Sequence, residues 1–80
     1  MKLKIKTRTV SIRTEYITLD SFLKFTGSVM SGGEAKTVIL QGDVIVNNEV
    51  CTMRGKKLRN GDTVKYNGRV FEVLYEGSIS

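Results

Sequence analysis

Residues 31–62 read SGGEAKTVILQGDVIVNNEVCTMRGKKLRNGD, and they set out a helix, a tight hairpin and a basic loop, in that order. Ser31 followed three residues later by Glu34 is a capping box: the hydroxyl accepts from the Glu34 backbone N–H, and the Glu34 side chain reaches back. Ala35, Val38 and Ile39 fall at i, i+3 and i+4, which gives the helix one apolar face. Gly42 stands just past the last periodic position, where a left-handed residue ends a helix. Residues 43–46 read as a short strand and residues 49–51 as its return. Asn47 and Asn48 between them tolerate positive φ and form a two-residue turn. Arg54, Lys56, Lys57 and Arg59 then crowd into six residues, separated only by Gly55 and Leu58.

Upstream of this stretch, Thr18 is placed to cap a helix, and Asp20 in the first turn suits the positive end of its dipole. Leu19, Phe22, Leu23 and Thr26 fall at i, i+3, i+4 and i+7, predicting a short amphipathic helix that ends at Gly27. Lys24 points away from that stripe. Residues 28–30 allow only a tight corner, so the two helices should pack together, with Val29 and Met30 plugging the corner. Further back, Lys2, Lys4, Lys6 and Arg8 alternate with Leu3, Ile5 and Thr7, while Val10 and Ile12 are out of phase with Leu3 and Ile5. That phase change predicts a bulge, a bend or two segments near Thr9. A strand is expected over at least residues 10–13, with residues 2–8 either continuing it or fraying into solvent.

Downstream, Asn60-Gly61 turns the chain into a strand over residues 63–66. Asn67-Gly68 is the strongest two-residue hairpin signal in the chain. Residues 69–75 return, apolar on both faces. A strand of that kind is central or covered, so the N-terminal strand is expected beside it. Residues 76–80 read as a frayed end. The aromatics Tyr16, Phe22, Phe25, Tyr66, Phe71 and Tyr75 mostly sit at periodic positions and read as core. No pair of strand aromatics is laid out as a stacking platform for bases, which in any nucleic-acid partner favours recognition of phosphates and shape over sequence readout.

Eighty residues is the length of one domain, and so small a domain buries only about 60% of its unfolded surface. The net charge of +5 favours a polyanionic partner, nucleic acid before an anionic membrane. One cysteine excludes an internal disulfide and gives no sign of an oxidising compartment. No apolar run approaches a transmembrane length, and no apolar segment follows the basic N-terminus as in a signal peptide, so a cytoplasmic location is expected.

The run LDSFLKFTGSVMSGGEAKTVILQGDVIVNNEV, followed by KLRNGDTV, resembles the S-four type RNA-binding domain, named for the small-subunit ribosomal protein in which it was recognised. The resemblance rests on Leu19-Asp20 at a helix start, Ser31 leading a second helix, the G-x-V-x-V-N pattern from Gly42 to Asn47, and Gly61-Asp62. The SGG-x-AK and RGKKL runs look most like the stand-alone YaaA-like subfamily. The match covers about residues 16–75 of a single domain spanning 1–80, leaving a basic N-terminal strand or arm over 1–13 outside it. Many members have Arg where this chain has Thr18, and Arg where it has Gly32, so the RNA contacts of those positions are not carried over. The resemblance implies an α+β fold: an αL motif of two short helices and a hairpin, packed on a small antiparallel β-sheet of about four to five strands. It also implies a partner among structured RNAs, ribosomal or transfer RNA, and through it the ribosome.

Catalysis has little support in the residues. There is no histidine, the commonest general base. Cys51 has no activating neighbour and reads as a packed or half-exposed strand residue. The eight acidic residues are scattered, so no metal site is expected. SGGEAK has the wrong spacing for a phosphate-binding nucleotide loop. The expectation is a non-enzyme with no cofactor and no small-molecule substrate. The basic residues are better candidates. Gly32 and Gly33 open a helix whose free N–H groups favour an anion, and Ser31 and Lys36 lie beside them. Arg54, Lys56, Lys57 and Arg59 are a same-signed cluster, and Lys24 is a further cation. These nine residues form the expected RNA-binding set, with the loop charges converging on Lys36 and the N–H groups of Gly32 and Gly33. The alternatives are a protein-interaction module that meets an acidic partner, and DNA binding.

Overall fold

In the computed structural model, which describes residues 6–77, the asparagine turns form where the sequence places them. Asn47 and Asn48 have φ of 50° and 70°, and Asn67 and Gly68 have 54° and 77°. Paired left-handed residues of this kind twist with the strands they join. The first turn joins β3 (Ile45–Val46) to β4 (Glu49–Val50), and the second joins β6 (Thr63–Tyr66) to β7 (Arg69–Tyr75). With β1 (Thr7–Ile12) they form a five-stranded sheet in the order β1-β7-β6-β3-β4.

The sheet is antiparallel, as expected, at β3–β4, β3–β6 and β6–β7. At its first strand it is mixed, because β1 runs parallel to β7, with Thr7 opposite Val70 and Ile12 opposite Tyr75. Both helices lie in the chain between these two strands, and a long crossover permits parallel pairing where a hairpin does not. β7 is therefore flanked on both sides, as its two apolar faces predict. β1 begins earlier than the expected residue 10. Residues 2–5 of the alternating segment, and 78–80 of the expected frayed end, lie outside the described residues.

Helix α1 (Leu19–Phe25) buries Leu19, Phe22 and Leu23, and α2 (Gly32–Leu40) buries Ala35, Val38 and Ile39. Both stripes match the periodicity. The Phe22 and Phe71 rings meet edge to face at 5.9 Å and 81°, a favoured aromatic geometry that ties α1 to β7. The end of α2 is a Schellman motif: Gly42, at φ 83°, donates to the Ile39 carbonyl, and Asp43 donates to Val38.

Three side chains differ from the reading as core. Val29 plugs the corner between the helices, but Met30 is 93% exposed. Its backbone N–H donates to Glu34 Oε1 at 2.8 Å, so the helix entrance is held by the main chain and the side chain faces solvent. Phe25 is 62% exposed because it falls off the Leu19–Phe22–Leu23 stripe of α1, and Tyr16 is 38% exposed. A second, two-stranded sheet was not expected. It pairs β2 (Ile17–Thr18) with β5 (Lys57–Leu58), Ile17 opposite Leu58 and Thr18 opposite Lys57.

Candidate nucleic-acid interface

Leu58 is wholly buried, whereas Lys57 and Arg59 on either side of it are exposed. Strand alternation explains this: one apolar residue pinned to the core turns its two basic neighbours outward together. Before them, the N–H of Lys56 donates to the Met53 carbonyl at 3.1 Å, closing a turn that carries Arg54 and Gly55. Two carbonyls of this segment then accept from the start of α1: Leu19 N–H donates to Lys56 at 2.8 Å and Asp20 N–H to Arg54 at 3.1 Å. The basic loop thus caps α1 with its backbone and leaves its cations in solvent.

The far end of the segment is tied down by Asp62. Its Oδ2 accepts from the Arg59 N–H at 2.8 Å, and its Oδ1 accepts from Asn47 Nδ2 at 3.1 Å. Asn47 Oδ1 in turn accepts from the Thr63 N–H at 2.9 Å. The asparagine and aspartate that end the G-x-V-x-V-N and G-D patterns therefore brace the hairpin against the basic segment. Asp20 is engaged locally as well, its Oδ1 accepting from Thr18 Oγ1 and the Ser21 N–H. Both carboxylates flanking the cluster bond to neighbours other than its cationic side chains, so the cations keep donors for an external anion.

Ser31, Gly32, Gly33 and Lys36 lie together in the first turns of α2, all exposed. Ser31 Oγ accepts from the Glu34 N–H at 3.1 Å, completing one half of the capping box. Glu34 reaches one residue further back than that motif requires, to Met30 rather than Ser31. Among the described residues, the N–H groups of Gly32 and Gly33 have no acceptor. A Cβ at Gly32 would meet nothing within 4 Å, and one at Gly33 only Ser31 Oγ at 3.9 Å. Space alone therefore demands glycine at neither position.

Arg54, Lys56, Lys57 and Arg59 are therefore brought together on one segment, and Ser31, Gly32, Gly33 and Lys36 on another. Among the described residues, the backbone bonds that fix the loop run to β2, to the start of α1 and to Asp62. Lys24 is exposed in the last turn of α1.

Tyr16 was missed. Lys57 Nζ lies 4.9 Å from its ring centroid and the Arg59 guanidinium carbon 5.4 Å, so the ring gathers two cations of the cluster. The signal was the alternation of Tyr16 and Thr18 with the apolar Ile17 and Leu19, which turns Tyr16 outward. Cys51 is a half-buried free thiol whose Sγ lies 3.7 Å from the Met53 carbonyl. Among the described residues, no group of His, Cys, Asp and Glu side chains is placed to hold a metal, and no helix is long and apolar enough to cross a membrane.

Residues 10–74 match the family model of the S4 domain. The "Probable ribosome maturation protein RlbA" of Bacillus subtilis (strain 168) is 46% identical over 59 residues, which is 74% of this chain and 83% of the relative. Among solved structures, YbcJ from E. coli is similar at a TM-score of 0.62 and 28% identity, over 92% of both chains. The solution structure of YbcJ revealed an αL motif involved in RNA binding.

Proposed function

Because the chain belongs to the S4 domain family, we propose that it is a non-catalytic RNA-binding protein that holds the backbone of a structured RNA, ribosomal or transfer RNA. The observation that carries this reading is the basic segment itself. Buried Leu58, the carbonyls that cap α1 and the Asp62 carboxylate fix its backbone, while Arg54, Lys56, Lys57 and Arg59 project into solvent. Fixed, same-signed donors suit phosphates, which position an RNA without reading its sequence. The open N–H groups of Gly32 and Gly33, with Ser31 and Lys36, supply a second phosphate contact at a positive helix end. Lys24 adds charge on α1. The RNA-binding αL motif of YbcJ supports RNA over DNA or an acidic protein, and the ribosome maturation relative supports ribosomal RNA and the ribosome as partners. A cytoplasmic site of action agrees with this.

The test is competition. A labelled ribosomal RNA hairpin is titrated with the protein, then challenged with unlabelled RNA, with duplex DNA of the same sequence and with polyglutamate. The reading expects RNA to compete best and DNA and polyglutamate weakly. Displacement by polyglutamate as readily as by RNA would favour an acidic protein partner instead, and equal displacement by DNA would remove the preference for RNA.

A further inference from the structure

The proposed phosphate contacts leave one feature without a use: an aromatic ring in the middle of the basic cluster, 38% exposed, with two cations over it. Its surroundings are built rather than loose. Thr14 Oγ1 donates to the Tyr16 carbonyl at 2.6 Å. The next residue, Ile17, pairs with Leu58, and Leu19 donates to Lys56. The backbone that carries the ring is thus held beside Lys57 and Arg59, and Asp62 engages Arg59 through its backbone N–H rather than its guanidinium.

We infer that Tyr16, Lys57 and Arg59 form a stacking site for an unpaired nucleotide of the bound RNA. The inference rests on the RNA-binding reading above and adds to it which feature of the RNA is recognised. A base within a helix has both faces covered by its neighbours, so an exposed ring can stack only on a base that has left the helix. Every base has a π-face, so such a site tolerates any sequence. The planar guanidinium of Arg59 offers a second stacking surface beside the ring. Lys57 is a point charge placed for the phosphate that flanks the base. Phosphate contacts alone would not distinguish a continuous helix from one with a bulge; this site does. The simpler use of the ring is to cover the aliphatic stems of Lys57 and Arg59. That use makes no distinction between RNAs, and the two can be separated.

Two hairpin RNAs of equal nucleotide count, one fully paired and one with a single bulged adenosine, are titrated with wild type, Tyr16→Phe and Tyr16→Leu at several salt concentrations. Wild type and Tyr16→Phe should bind the bulged hairpin about tenfold tighter than the paired one. Tyr16→Leu should bind both alike, with an unchanged salt slope, because no phosphate contact is lost. The chain has no tryptophan, so Tyr16→Trp creates a single fluorescent reporter, which the bulged hairpin should quench more than the paired one. Equal binding of both hairpins by wild type would overturn the inference and leave the RNA-binding reading standing. So would a bulge preference retained in Tyr16→Leu with a shallower salt slope, since the ring would then only position the cations. Failure of wild type to bind either hairpin would overturn the RNA-binding reading and the inference with it.

Discussion

Helix α1 follows Thr18 and helix α2 follows Ser31, two hydroxyl residues held in extended conformation at the N-cap. At α2 the hydroxyl accepts from Glu34 N–H, and among the described residues the two preceding donors, on the exposed Gly32 and Gly33, have no acceptor. At α1 the hydroxyl makes no cap; it donates to Asp20 Oδ1 at 2.7 Å, and the first donors are taken by the carbonyls of Lys56 and Arg54. One positive helix end is closed by the protein's own basic loop and the other is left open. The difference shows how the chain holds a cluster of like charges in place. The loop gives its carbonyls to a helix end, and that attachment directs its cations away from the core.

The largest effect expected from this comparison comes from Leu58, the buried residue that anchors the loop. Leu58→Ala should cost about 3 kcal/mol in urea unfolding. Amide exchange at Leu19 and Asp20 should then quicken more than at Glu34, because only the α1 cap depends on the loop. Equal quickening at both helices would mean that the loop does not cap α1 specifically.

The two N-caps provide a smaller contrast. Ser31→Ala should cost about 1 kcal/mol, whereas Thr18→Ala should cost only about a few tenths, since its hydroxyl caps nothing. Equal losses in thermal unfolding would remove the distinction drawn between the two ends.

The smallest effect has opposite signs in two assays. Gly33→Ala replaces a poor helix former in open space and should stabilise the protein by about 0.5 kcal/mol. The same change sets a methyl beside the open N–H groups and should weaken RNA binding about two- to fivefold. A variant that is more stable and binds RNA as well as wild type would show that no phosphate approaches there.

What the sequence made legible was local. Ser31 with Glu34, Gly42, Asn47-Asn48 and Asn67-Gly68 each act within a few residues; the three turn and cap signals form as read, and of the capping box the Ser31 half does, while Glu34 reaches to Met30 instead. The position of β1 beside β7 also followed, from the two apolar faces of residues 69–75, but not its parallel direction, which depends on how the intervening helices cross. β2 and β5 are two residues long, too short for any periodicity. Their pairing, and with it the place of the basic loop, arises between segments about forty residues apart in the chain and left no local trace. The exposure of Tyr16 was legible in the local alternation with Ile17 and Leu19, but its two cationic neighbours, Lys57 and Arg59, reach it only through that pairing.

The claim that the loop is a defined RNA site, and not merely part of a diffuse positive charge, is tested by salt dependence. One structured ribosomal RNA fragment is titrated with wild type, with Lys56→Gln/Lys57→Gln/Arg59→Gln, and with Lys2→Gln/Lys4→Gln/Lys6→Gln, after each is shown to be folded. Both variants lose three charges, so long-range attraction falls alike. With about five phosphates neutralised, wild type should show a slope of log affinity against log salt of about −3.5 to −4.5. The loop variant should be shallower by about 2 to 3 and bind far more weakly, while the N-terminal variant keeps the wild-type slope. Equal losses in the two variants, or the larger loss in the N-terminal one, would contradict the account.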